Sequence, residues 1–222
     1  MEPSNEPSPP LMARRTQAER RDKSGRGLVE AAVAVVAEDG VSAATFEAIS
    51  RRAGYSRGLA TQRFGSKQGL IEAVIACLHE RQEDALAEQG IDDMSGFEAL
   101  LAYVDLFLRG LEARDDSRAY FMLLASAVAD LAAIRSAFAE EHVRIKHRLE
   151  GFVRRGQAEG DIRLEVDPAA AALMVGGLLM GLNMQVMVDP STDVAPLRQM
   201  SLATLRLSFE ASHPSPPEPV LF

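Results

Sequence analysis

Residues 40–67, GVSAATFEAISRRAGYSRGLATQRFGSK, gather side chains suited to reading a polyanion with base edges. Arg57 can donate two parallel hydrogen bonds to a guanine edge, and Gln62 can do the same for adenine. Thr61 can touch a thymine methyl or a phosphate, while Arg63 and Arg26 can reach phosphate oxygens. Gly58 falls inside a helical run, where it costs about 1 kcal/mol relative to Ala; close approach of the backbone to a duplex would explain it. Lys67 sits in the first turn of a helix, where its charge opposes the helix dipole. A phosphate there would be held by free backbone N–H groups and the ammonium together. Thr45 and Ser56 stand where N-caps belong, and Thr45 is also placed to meet a phosphate. Each of these residues equally suits a solvated basic surface.

To be useful, such side chains need a rigid mount. Between about Arg20 and Asp39, Leu28, Ala32, Val35 and Val36 recur at helical spacing on one face, and Gly40 ends that helix. The pattern predicts a second short helix from about Thr45 to Arg52, a tight turn at Gly54 and a third helix from Ser56 to about Arg63. Phe46, Ile49, Ala53, either Leu59 or Ala60, and Phe64 would hold the two short helices at a fixed angle. A short helix, a glycine turn and a second short helix packed on an amphipathic helix form the helix-turn-helix plan. Ser66 then caps a long helix to about Glu88.

Charge divides the chain in the same place. From Arg14 to Lys67 there are 11 Lys/Arg against 6 Asp/Glu, a net of +5, in a chain whose total is −8. A basic third on an acidic body points to a polyanionic partner for the first part alone. Further helices are expected at about 96–113, 117–129, 131–156, 169–188 and 194–210, with an extended piece, IRLEVD, before Pro168. The expected fold is all-α: a tail at 1–19, a helix-turn-helix domain at 20–66, a helical ligand-binding and dimerisation domain at 67–211, and a Pro-rich tail at 212–222. Cys77 is the one cysteine, so no internal disulfide can form. A cytoplasmic setting fits, and the N-terminus carries no apolar stretch of signal type.

The run from residue 26 to 75 resembles the TetR family of bacterial repressors: helix, Gly, Thr-initiated helix, Ala-Gly turn, Ser-x-Gly helix start, Phe-x-Ser-Lys and a long helix. The segment FVRRGQAEGDIRLEVDPAAAALMVGGLLMGLNMQVMVDP is similar to the family's approach to its dimerisation helices. The resemblance implies double-stranded DNA as partner, a two-fold dimer built on the last two long helices, and a small-molecule effector. Where the family commonly carries an aromatic in the third helix, this chain has Thr61.

The body can be read independently. Residues 169–188 carry no charge, yet Asp-Pro flanks, Asn183, Gln185 and many small residues favour a buried bundle helix over a membrane span. Being apolar all round, it is expected to be buried on every side. Gly177 and Gly181 would permit close helix approach, and Met200 and Leu207 would supply a partner-facing stripe on the last helix. An apolar pocket is expected from Tyr103, Phe107, Phe121, Met122, Phe138, Met180 and Met184, with polar contacts from His142 or Asn183. Such residues more often serve as plain core.

Catalytic patterns are missing from the sequence. His79, His142, His147 and His213 do not pair at H-E-x-x-H spacing, and there is no zinc set, phosphate loop or nucleophile elbow. No metal or cofactor is expected. The competing reading is an all-helical small-molecule-binding protein or enzyme with an incidental basic head.

Overall fold

The computed structural model describes residues 17–211 except 114, 130 and 131. The expected tails at 1–19 and 212–222 therefore lie almost wholly outside the described residues. Among the described residues the chain forms α1 (Gln17–Asp39), α2 (Phe46–Ala53), α3 (Arg57–Phe64), α4 (Lys67–Glu88), α5 (Gly96–Ala113), α6 (Asp115–Ala129), α7 (Ala132–Glu159), α8 (Pro168–Val188) and α9 (Val194–Phe209). Single 3-10 turns at Val41–Ala43 and Ile91–Asp93 join α1 to α2 and α4 to α5. The extended piece expected at IRLEVD reduces to one antiparallel bridge, Ile162 to Glu210. Gln157 explains this: its side-chain amide donates to the carbonyls of Arg163 and Val166 at 3.0 and 2.8 Å, folding the segment back on α7. Helix α7 runs three residues beyond its expected end, to the positive-φ Gly160.

Two apolar cores hold these helices. The first joins Leu28 and Val36 of α1, Ile49 of α2, Ala60 of α3 and Leu70 and Val74 of α4. It does not stop at the head: Ala119, Leu123 and Ala127 of α6 and Phe138 of α7 belong to it. The second gathers Leu100 and Leu108 of α5, Leu149 and Val153 of α7, Val175 and Leu179 of α8, and Leu205 and Phe209 of α9.

Helix α4 runs between the two cores, and polar clamps fix it on several sides. Arg81 is ion-paired to Glu30 of α1 and reaches Asp116 of α6 at 2.6 Å. Arg148 of α7 grips Glu83 with two hydrogen bonds of 2.8 and 2.7 Å. These bonds hold the Glu83 carboxyl below its ordinary range against the opposing effect of burial. Gln82 donates to the Tyr103 hydroxyl of α5 at 3.2 Å.

Helix α8 corrects one expectation. It is buried on one side only: Ala171, Ala172, Val175, Leu179 and Val186 face the core, while Leu173, Met174, Met180, Met184 and Val188 are exposed. The reason is geometric. Helices α5 and α7 cover one flank, and at Gly177 and Gly181 an added Cβ would meet nothing within 4 Å. Asp167 caps the helix through Ala170 N at 2.7 Å, ahead of Pro168 at its first position. By length and hydropathy alone this helix could cross a bilayer.

Candidate DNA interface and ligand cavity

The local chemistry of the head accounts for its shape. Thr45, the N-cap of α2, accepts from Ala48 N at 3.2 Å, and Ser56 caps α3 by accepting from Leu59 N at 3.2 Å. Each bond satisfies a backbone donor that the first helical turn leaves open. Between them Gly54 takes φ +71°, ψ +27°, a left-handed conformation that glycine adopts without steric cost. Ser66 caps α4 through Gly69 N at 3.1 Å. A Cβ at Gly69 would lie 2.3 Å from the Phe64 carbonyl oxygen, so α3 and α4 join this closely only with glycine there. Arg52 braces α2 on α1 with bonds of 2.6 and 2.5 Å to Glu38.

Of the two residues considered for the inner side of α3, Ala60 is fully buried and Leu59 only half. That leaves the opposite side open. Ser56, Arg57, Gly58, Thr61, Gln62 and Arg63 are all exposed, as are Arg26, Thr45 and Lys67. The Thr61 hydroxyl donates to the Arg57 carbonyl at 3.1 Å, leaving its methyl and lone pairs outward. Arg63 lies across α1 at Gly25, beside Arg26: a Cβ on Gly25 would fall 3.0 Å from its Nε. A polar cleft between Arg21, Ser24, Leu59, Gln62 and Arg63 separates α1 from α3. Lys67 starts α4 and donates to the Ser42 carbonyl at 3.1 Å. That bond holds its ammonium beside the α1–α2 turn, near Thr45. At Gly58 a Cβ would meet nothing closer than Ser56 Oγ at 4.0 Å, so no neighbour in the protein demands glycine there.

The body holds a half-open cavity of about 410 Å³ among α5, α6, α7 and α8. Its wall includes Tyr103, Phe107, Phe121, Phe138, His142 and Met180, all expected there from sequence. Met122, Asn183 and Met184 are not part of it. Met122 lies on the other side of α6, its methyl 3.4 Å from where a Cβ on Gly40 would sit. Asn183 is buried about one turn beyond Met180 on α8, beside Leu111 and Arg118. Met184 belongs to the exposed stripe of α8.

Sequence reasoning missed Tyr120, Arg135 and Lys146 in this wall. Tyr120 is buried, which pushes its phenol up to about 12. Its ring meets Phe121 and Phe138 at centroid distances of 5.6 and 5.3 Å. Ala127 and Phe138 face the cavity while belonging to the core beneath α1 and α4, and Tyr120 and Leu124 pack against that core. The cavity wall is thus also the rear wall of the head. Behind it His79 of α4 approaches the buried Glu141 of α7 at 3.5 Å. Burial lowers the His79 pKa, with the Glu141 carboxylate opposing. Among the described residues no group of three or more His, Cys, Asp or Glu is placed to hold a metal ion.

On the last two helices an apolar stripe is uncovered. Met200 and Leu207 of α9 are 69% and 86% exposed, and lie two turns apart on one side of the helix, with Leu205 and Phe209 buried on the other. Helix α8 has an open side of its own around Gly177 and Gly181, with Leu173, Met174, Met180 and Met184 exposed.

Two family models match. Residues 28–74 match "Bacterial regulatory proteins, tetR family", and residues 97–208 match "BetI-type transcriptional repressor, C-terminal". Solved structures share the fold at low identity. A TetR transcriptional regulator from Chloroflexus aurantiacus is 18% identical, covering 87% of this chain and 99% of its own, with a TM-score of 0.76. A chain from Saccharomonospora viridis in complex with choline is 22% identical over 86% and 100%, TM-score 0.74. The SmeT–triclosan complex is 22% identical over 90% and 100%, TM-score 0.68. No curated protein matches the chain.

Proposed function

The chain belongs to the TetR family of bacterial regulatory proteins and is a ligand-responsive DNA-binding transcriptional repressor; from that premise we propose how its own residues do the work. Two copies pair through α8 and α9. The α3 helices then enter successive major grooves of a near-palindromic operator, about 34–36 Å apart. Arg57 and Gln62 read base edges, Thr61 and Gly58 lie against the groove wall, and Ser56 places the helix start near the backbone. Arg26, Thr45, Arg63 and Lys67 hold phosphates. The observation that carries this is the outer side of α3: every polar side chain on it is exposed, and caps and a glycine turn fix its angle.

Release follows from population shift. A small apolar or amphipathic molecule that fills the cavity favours a body conformation in which the heads are wrongly spaced, and lowers DNA affinity by its differential affinity for the two forms. Tyr120, Leu124, Ala127 and Phe138 give it a direct route, since they touch both the cavity and the head core. Two liganded relatives support an effector in this fold: one holds choline, the other triclosan. The chain acts in the cytoplasm, by binding rather than by catalysis. The domain division we propose is a DNA-binding unit over 20–66 and a ligand-binding and dimerisation unit over 67–211.

Gel shift on DNA upstream of the chain's own gene tests the whole reading. Tight binding that falls steeply between low and moderate salt is expected, because several phosphates are neutralised. Sedimentation tests the dimer: M200D/L207D alters side chains exposed in the protomer, so it should leave the fold intact and yield monomers with weakened operator binding. A wild-type chain that sediments as a monomer at micromolar concentration contradicts the proposed pairing.

A further inference from the structure

Most of the cavity wall is hydrocarbon, and its basic members share one helix. Arg135, His142 and Lys146 all belong to α7 and all line the cavity. They stand at i, i+7 and i+11, which puts them on a single stripe of that helix. Among the described residues no Asp or Glu lines the same space. This is unusual in a chain of net charge −8.

Two of the three are held in place. Arg135 donates to the carbonyls of Ala127 and Val128 at 3.2 and 3.3 Å, which fixes its guanidinium at the end of α6. Those acceptors are neutral, so its charge is not cancelled by them. Lys146 lies 3.6 Å from Glu150, and the same carboxylate is shared with Arg154 at 3.0 Å. Glu150 therefore answers two cations, and the local sum stays positive.

We infer that the effector is an anionic amphiphile, with a carboxylate or phosphate head on the α7 stripe of Arg135, His142 and Lys146 and an apolar body among Phe107, Phe121 and Leu149. This rests on the effector reading above and specifies its ligand class. Arg135 and His142 are exposed and Lys146 is half-buried, so an anionic head would sit at the cavity rim, where the sign of its charge is favoured at close range though water screens the attraction. At about 410 Å³ the cavity lies in the ordinary range for a small-molecule site. The aromatic wall by itself would also suit a quaternary ammonium group through cation–π contact. Arg135 and Lys146 in the same cavity oppose that occupant, which sets this cavity against choline, the ligand held by the Saccharomonospora viridis chain.

Calorimetry on the full chain with four probes decides it: dodecanoate, dodecanol, dodecyltrimethylammonium and choline. Dodecanoate should bind several-fold more tightly than dodecanol, dodecyltrimethylammonium should bind more weakly than dodecanol, choline should not bind, and dodecanoate should release operator DNA in a gel shift. K146Q should erase most of the preference for the carboxylate while dodecanol binds as before. A139E, which puts a carboxylate into the wall, should shift selection toward dodecyltrimethylammonium. Equal or tighter binding of dodecanol or of either cation overturns the anionic assignment and leaves the effector reading standing. Absence of binding by all four, with DNA binding intact, overturns both.

Discussion

The outer side of α3 and the cavity of the body, the two surfaces proposed to bind, are built on opposite principles. On α3 the functional atoms are polar, exposed and set by local rules: two caps, one left-handed glycine and a short apolar underside. The caps and the turn act within α2, α3 and the start of α4, while the underside of α3 rests on a core shared with α1 and α4. In the cavity the apolar wall comes from four helices distant in sequence, and the charged rim from one stripe of α7. The comparison teaches where information flows. The head surface can be described without the body, but the cavity cannot be described without the head, because Ala127 and Phe138 belong to both the cavity wall and the head core.

The strongest way to test that division is to remove the head's polar atoms. The triple variant R57A/Q62A/K67A should lose about a thousandfold or more in operator affinity, since each base contact is worth about 1–3 kcal/mol. Its thermal unfolding and dodecanoate binding should match wild type, as all three side chains are exposed. Loss of ligand binding in this variant would mean the two surfaces are less separate than described.

A second variant attacks the shared wall. Phe138→Ala empties a buried position common to both regions and should cost about 3 kcal/mol in chemical denaturation. It should also weaken the coupling, so that saturating ligand releases less DNA. Unchanged stability would show that this ring is not core.

Smaller effects refine each side. Gly54→Ala places a Cβ at φ +71° with no neighbour in its way, so its cost is backbone strain alone, about 1–2 kcal/mol. Urea unfolding should register it. The smallest effect concerns His79. Burial holds the folded imidazole below its ordinary 6.5, so the unfolded chain takes the proton first as pH falls. Stability should be unaffected by this group above about pH 6.5 and decline below it, until the folded pKa is reached. His79→Gln should flatten that part of the melting-temperature profile between pH 7 and 5; an unaltered slope would assign the acid sensitivity elsewhere.

What the sequence revealed follows the same contrast. Thr45, Gly54, Ser56 and Ser66 act within three residues of themselves, so caps and turns were legible. The choice between Leu59 and Ala60 was not, because it depends on how α3 leans on α1 and α4. In the body, Met122 and Phe121 look alike in sequence, and only the rotation of α6 sends one to the head core and the other to the cavity. Tyr120 was overlooked for the same reason. Arg135 and Lys146 read as ordinary surface cations on a charged helix, and their importance rests on the empty space beside them. The apolar composition of α8 suggested complete burial. In the protomer half of that surface is open, which composition could not express because it does not distinguish a partner's side chains from the chain's own.

Hydroxyl-radical footprinting of the protein on its upstream DNA tests the central claim most directly. The account predicts two protected patches on one face of the duplex, centred about 10 base pairs or a multiple apart, both lost in R57A/Q62A/K67A. A single patch, protection that survives that triple change, or none at low ionic strength would contradict it.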